Sequence, residues 1–429
     1  MERAILTSLA ALAAFLPTDG SAQRRMPAYE LPPIEYSKRK PDDAVAHLLT
    51  RIAVGEVAFK GTDAEILRAV LNELHVPVES QIVVFSKTSM QGGLIDPRNP
   101  RALYFSDSVY VGWVPGGLIE VASTDAVLGP VYYSLDPQDA RQARRTFVRE
   151  TACLRCHGGD TGREIPSLIS RSVVATDRGE VLTGEDAPLT SDATPFADRW
   201  GGWYVTGYTG TANHRGNAFG RELDGAVEIT PADKRPADLS EFLDTSKFLA
   251  ATSDAGALLV FQHQLAMHNV LTRASHRSRR ALMNAGNDPS APLDEATHSL
   301  LSQVAEEVVD HLLFRGAAPL PDGIGINEEF RRAFVSHTPR TAAGDSLKDF
   351  SGGNRLFSNR CSFLIYSESF TSLPAPLKEL IFDRLSAALG NQAPEESYAY
   401  LEPEERQRIR SILRETLPEA REAFGRQPR

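Results

Sequence analysis

Cysteine is scarce in this chain: there are three in 429 residues, an odd number, and two of them sit three positions apart. An exported protein stapled by disulfides would normally hold an even set at wider spacing, so the close pair has another purpose. Basic charge is short as well. Against 56 Asp and Glu stand 46 Lys and Arg, the formal net charge is −10, and no Lys/Arg run stands out. Nucleic acid and anionic membrane surfaces are poor partners for such a chain. Long apolar runs are lacking too, since none reaches the roughly 20 residues that span a bilayer. Internal repeats and low-complexity tracts are also missing.

What remains is globular material, 42% hydrophobic and 24% charged, enough for two or three domains or one domain with large elaborations. Residues 1–22 have the layout of a signal peptide. Arg3 is followed by the mainly apolar Ile5 to Leu16, then Pro17, with Gly20-Ser21-Ala22 at the cleavage positions. The expectation is a cut after Ala22 and a periplasmic or secreted mature chain. Residues 23–41, with Pro27, Pro32, Pro33 and Pro41, read as an extended leader.

Periodicity predicts a helix from Asp43 to Val54, and a second one opened by the capping box Thr62-Asp63-Ala64-Glu65. Gln81 to Lys87 reads as a strand, and Val109 to Val114, Leu118 to Ser123 and Val131 to Leu135 as a meander. A helix is then expected from Pro137 into the cysteine pair, and short strands at Leu168 to Ala175 and Trp203 to Tyr208. After residue 253 the pattern turns helical: Ser253 to Asn284, Leu293 to Phe314, Leu377 to Leu389 and Pro403 to Leu413. The expected class is mixed α+β. A β-meander and the cysteine pair lie in an α/β region, 42–230, and a mainly helical region, 231–429, packs on it.

Cys153-Leu154-Arg155-Cys156-His157 is a C-x-x-C-H segment, the signature of covalent haem attachment. Each thiol adds to one haem vinyl group, and the next residue then lies beneath the iron, where a neutral imidazole ligates it. Chance produces about 0.0005 such matches at this composition. A structural zinc site, with Cys361 and distant histidines as further ligands, and a thioredoxin-like redox pair are the competing readings. The latter sits after a strand at a helix start, whereas a helix is expected to lead into this pair.

The segment resembles c-type cytochromes more widely. Class I members have a helix leading into the motif and a Gly-Pro-x-Leu segment after it, whose Pro carbonyl accepts a hydrogen bond from the proximal histidine. Here Asp139–Thr151 matches the helix, and Ile165-Pro166-Ser167-Leu168 matches Pro-x-Leu without the Gly, so the resemblance implies Pro166 as that acceptor. Three further segments are similar to a family of large exported cytochrome c-like proteins. They are Phe196 to Gly207, His214-Arg215-Gly216-Asn217 and His263-Gln264-x-x-x-His268-Asn269. That family implies one covalent haem c and an extracytoplasmic location, not a reaction.

The sixth iron ligand decides what such a haem would do. His214, in a polar turn, and His263 and His268, on an apolar helix, are the candidate distal ligands, with Met90, Met267 and Met283 as soft alternatives. Five residues turn a helix by about 500°, leaving the two helical rings about 140° apart, so both cannot face one haem. The expected function is electron transfer with a redox partner protein or a small-molecule donor or acceptor. The alternative is a haem enzyme of peroxidase or oxygenase type with an open distal side.

Overall fold

The computed structural model describes residues 26–142, 146–159, 164–184, 187–231, 236–286, 292–390 and 396–425, and the expected signal segment lies outside them. Helix α1 (Ala44–Ala53) starts where Asp43 caps the amides of Val45 and Ala46, and it buries Val45 and Leu48. Helix α2 (Asp63–Glu73) starts at the expected Thr62/Glu65 capping box and buries Ile66, Leu67, Val70 and Leu71. Between them the two helices cover one face of an antiparallel sheet.

That sheet is built from β1 (Ile82–Val84), β2 (Arg101–Phe105), β3 (Val109–Trp113), β4 (Ile119–Asp125), β5 (Gly129–Leu135) and β6 (Val148–Arg149). The hairpin of β7 (Val174–Ala175) and β8 (Val181–Thr183) stands apart. Strand β9 (Trp203–Tyr204) closes the large sheet, in the order β6-β5-β4-β3-β2-β1-β9, and β10 (Phe219–Leu223) and β11 (Ala226–Thr230) form a second hairpin. Strand periodicity sends Tyr104, Val111, Val121 and Tyr133 to the α1/α2 face. The cross-strand set Phe105, Tyr110, Ala122 and Tyr132 shares the other face.

Two short helices, α3 (Pro137–Arg141) and α4 (Leu154–His157), lie on either side of β6. The second face is then covered by α5 (Ala255–Asn284), a helix buried on every side over Ala255–Leu265. Phe105 and Tyr110 place their rings 5.5 and 5.9 Å from Phe261 of α5. Behind it come α6 (Glu295–Leu312), α7 (Glu328–Val335), α8 (Glu368–Thr371), α9 (Ala375–Ala388), α10 (Pro403–Thr416) and α11 (Pro418–Gly425). The class is mixed α+β, with the sheet in the N-terminal half and helices in the C-terminal half. A division near residue 230 does not separate two cores, because one core joins the sheet to α5 and α6. Among the described residues no helix is long and apolar enough to cross a membrane.

Several expectations are corrected. The segment 23–41 is not an extended leader where it is described: Tyr29, Ile34 and Tyr36 are buried, and the Tyr36 hydroxyl donates to Pro130 O at 2.9 Å. Burying three large side chains outweighs the polar, Pro-rich composition of the segment. No helix runs from Pro137 into the cysteines. Helix α3 is five residues long, and the chain returns as β6, with Phe147 buried against Phe59 and the Glu150 amide bonded to Tyr132 O. Helix α5 starts two residues after the expected Ser253, capped by Asp254, and the Ser253 hydroxyl instead joins Tyr204 O and the Val83 amide at the sheet edge.

Asp43 caps α1 and also accepts from the Tyr133 hydroxyl at 2.7 Å. Asp43→Ala should therefore cost about 2 kcal/mol in urea unfolding, while Asp43→Asn, which keeps a capping oxygen, should retain most of that stability.

Candidate functional site

Strand β6 delivers the chain to a single 3₁₀ turn, Thr151–Cys153, continued by α4, which ends at His157. On a helical turn positions i and i+3 are neighbours, so Cys153 and Cys156 lie on one side. Cys153 is half-buried and Cys156 exposed. Burial, and then the nearby carboxylates of Glu120 and Glu150, push the Cys153 thiol up to about 11.

This matters for the redox-pair reading, because the cysteines do follow a strand at a helix start, as thioredoxin-like pairs do. Reactive dithiols have lowered thiol pKa values, and Cys153 is shifted the other way. One turn of helix also supplies little dipole to offset the two carboxylates.

His157 is locked to Ser167. The Ser167 amide and hydroxyl both donate to His157 O, at 2.8 and 2.9 Å, and His157 Nδ1 lies 2.7 Å from Ser167 O. The expected acceptor, Pro166, is thus replaced by the next residue. Pairing runs through the Ser167 N–H, a donor that proline lacks, and it turns the Ser167 carbonyl toward the ring. Since a carbonyl only accepts, Nδ1 carries the proton and the ring's lone pair is on Nε2, the nitrogen suited to a metal.

Two residues brace this pair from other elements. Tyr132 of β5 packs its ring on the imidazole, centroids 4.5 Å apart, and its hydroxyl donates to the same Ser167 O at 2.6 Å. Asn269 of α5 grips the next residue from both sides: the Leu168 amide donates to Oδ1 and Nδ2 donates to Leu168 O, each at 2.8 Å. Gly158 leaves room for Tyr29, because a Cβ there would collide with the Tyr29 hydroxyl and the Leu154 carbonyl. Neither Asn269 nor Tyr132 carries a local sequence signal of this role. Their roles arise from contacts 35 and 101 residues apart in sequence.

The structure does not bring the three distal candidates to the motif. His263 Nδ1 lies 2.8 Å from Asp192 Oδ2 and Nε2 lies 2.8 Å from Ser362 Oγ, with the ring stacked on Phe314. The order Asp192–His263–Ser362 is that of a nucleophile triad. Ser362, however, is fully buried, and its oxygen accepts from the Leu364 amide as the cap of a 3₁₀ turn. It acts as a strut joining three distant segments.

His268 faces the opposite way. Its Nε2 donates to Asp107 O at 2.8 Å, Ser369 Oγ lies 3.5 Å from Nδ1, and burial lowers the ring to about 4. His214 packs edge-on against Trp200 and Phe196, and its Nδ1 accepts from the Gly216 amide. The buried imidazoles of His263 and His268 satisfy polar groups of the core, the ordinary use of such residues, while half-buried His214 pairs within its own turn. Among the described residues, no group of three or more His, Cys, Asp or Glu is placed to hold a metal ion.

In comparisons with protein families, with curated proteins and with solved structures, nothing matches this chain.

Two outcomes follow. Asn269→Ala strands a buried amide and a buried carbonyl of Leu168, so urea unfolding should show a loss of about 2–4 kcal/mol. Burial pushes the Asp192 carboxyl up, but His263 and then Arg199 outweigh this and hold it below its ordinary 3.8. Its stabilisation is therefore complete above the unfolded value and lost as pH falls through the folded one. Asp192→Asn should be about 1.5–3 kcal/mol less stable at neutral pH, with the difference shrinking below about pH 4.

Proposed function

We propose that this chain is an exported monohaem c-type cytochrome that transfers electrons, with the haem attached through Cys153 and Cys156 and His157 as its proximal iron ligand. The observation that carries the reading is the C-x-x-C-H segment combined with the backbone carbonyl at His157 Nδ1. The first supplies two thiols and an imidazole at the spacing that attachment needs. The second leaves the metal-binding lone pair on Nε2, as in other proteins whose ligating histidines donate their second N–H to a carbonyl.

Bound there, haem supplies reversible one-electron chemistry. The chain's own residues do the rest. Ser167 fixes the tautomer and the ring orientation, Tyr132 blocks one face of the imidazole, and Asn269 anchors the loop to the longest helix of the fold. The exposed Cys156 puts one attachment point at the surface, where electrons pass to a partner protein or small molecule. Export follows from residues 1–22 and from covalent attachment, which takes place outside the cytoplasm.

Expression with a covalent haem-maturation system tests this. The expected product holds one haem per chain that survives denaturation in a gel, and Cys153→Ala and Cys156→Ala together abolish it. A native chain that matures without retained haem would overturn the reading. A ferrous spectrum unmoved by carbon monoxide supports electron transfer, whereas rapid binding of the gas would point to the haem-enzyme alternative with its open distal side.

A further inference from the structure

The Ser167 carbonyl serves two donors from different elements, His157 Nδ1 at 2.7 Å and the Tyr132 hydroxyl at 2.6 Å. A carbonyl oxygen has two lone pairs and can accept both. Each donor draws on the same electron density, however, so either bond is weaker than it would be alone. The Tyr132 ring also lies against the imidazole, 5% of the residue is exposed, and among the described residues the phenol's hydrogen-bond partner is this oxygen. Burial holds that phenol protonated well above its ordinary range, so it remains a donor throughout the working pH range.

We propose that Tyr132 sets the donor strength of His157 by sharing the Ser167 carbonyl with it, and thereby holds the reduction potential of a haem at Cys153 and Cys156 above the value His157 would impose alone. This rests on the cytochrome reading. Its physical basis is general: a stronger hydrogen bond from Nδ1–H makes the ligating nitrogen more basic. A more basic ligand favours the ferric state and lowers the potential. Tyr132 weakens that bond, so its effect is upward. Tyr132 is a positioning and tuning residue, since it touches the ligand and not the iron.

Potentiometry on the haem-loaded chain gives the main test. Tyr132→Phe removes the competing donor and should lower the equilibrium constant for reduction by up to about tenfold, about 59 mV for one electron. Replacing Tyr132 with 3-fluorotyrosine, a more acidic phenol and stronger donor, should move the potential the other way. Tyr133→Phe is the control. It deletes an equally buried phenol bond, to Asp43 at 2.7 Å, on the opposite face of the same strand, and should leave the potential in place.

Opposite shifts for the two Tyr132 variants, with none at Tyr133, support the proposal. Equal shifts at Tyr132 and Tyr133, or none at Tyr132, would overturn it, because a merely structural phenol affects folding and not the sign of the potential. If the chain retains no haem at all, the cytochrome reading fails by itself. Nuclear magnetic resonance of the haem-free protein then still decides the shared bond. The His157 ring N–H proton should move downfield in Tyr132→Phe, and an unchanged resonance would refute the sharing.

Discussion

Everything around the cysteine pair depends on one short buried segment, Ser167–Leu168, whose backbone groups have no sheet or helix to satisfy them. Buried amides and carbonyls must be paired, and here each partner comes from a different part of the fold. His157 O takes the Ser167 amide, the Ser167 carbonyl takes His157 and Tyr132, and Asn269 takes both polar groups of Leu168. The cysteine turn, strand β5 and helix α5 are thereby held in register by hydrogen bonds to two consecutive residues. Losing Asn269 would strand both polar groups of Leu168 in the core, whereas the Ser167 carbonyl, with two donors, would keep one.

Helix α5 makes that arrangement possible by being buried on opposite sides. Five residues separate His263 from His268, and their rings point to different elements, one to the Asp192 and Ser362 loops and the other to the turn between β2 and β3. Asn269, one position on, points toward the motif. A helix with a single apolar stripe could not have tied three surroundings together. The helices behind it brace α5 against the sheet, which accounts for part of the C-terminal half without assigning it chemistry.

The fold was legible where the signal was local. Asp43 and the Thr62/Glu65 box mark helix starts through bonds spanning two or three residues, and the structure has them. The meander and the long helices were legible from periodicity. Strand β6 was not, because Val148 and Arg149 pair with β5 across a chain reversal, and a five-residue helix just before it extends the helical pattern. The burial of Tyr29, Ile34 and Tyr36 is not legible for the same reason, since Tyr36, for one, bonds Pro130, 94 residues along the chain.

At the site, the cysteine spacing and the adjacent histidine are properties of five consecutive residues, so the sequence by itself determined which thiols and which imidazole stand together on one turn. It also determined that His263 and His268 face apart, since helical rotation per residue is constant. Only the tertiary structure decided which carbonyl holds the His157 ring, that Tyr132 shares it, and that His263 and His268 direct their ring nitrogens to core polar groups. The reason is range. Local spacing follows from backbone geometry, whereas a hydrogen bond across 35 to 101 residues exists only once the sheet and α5 have closed on each other.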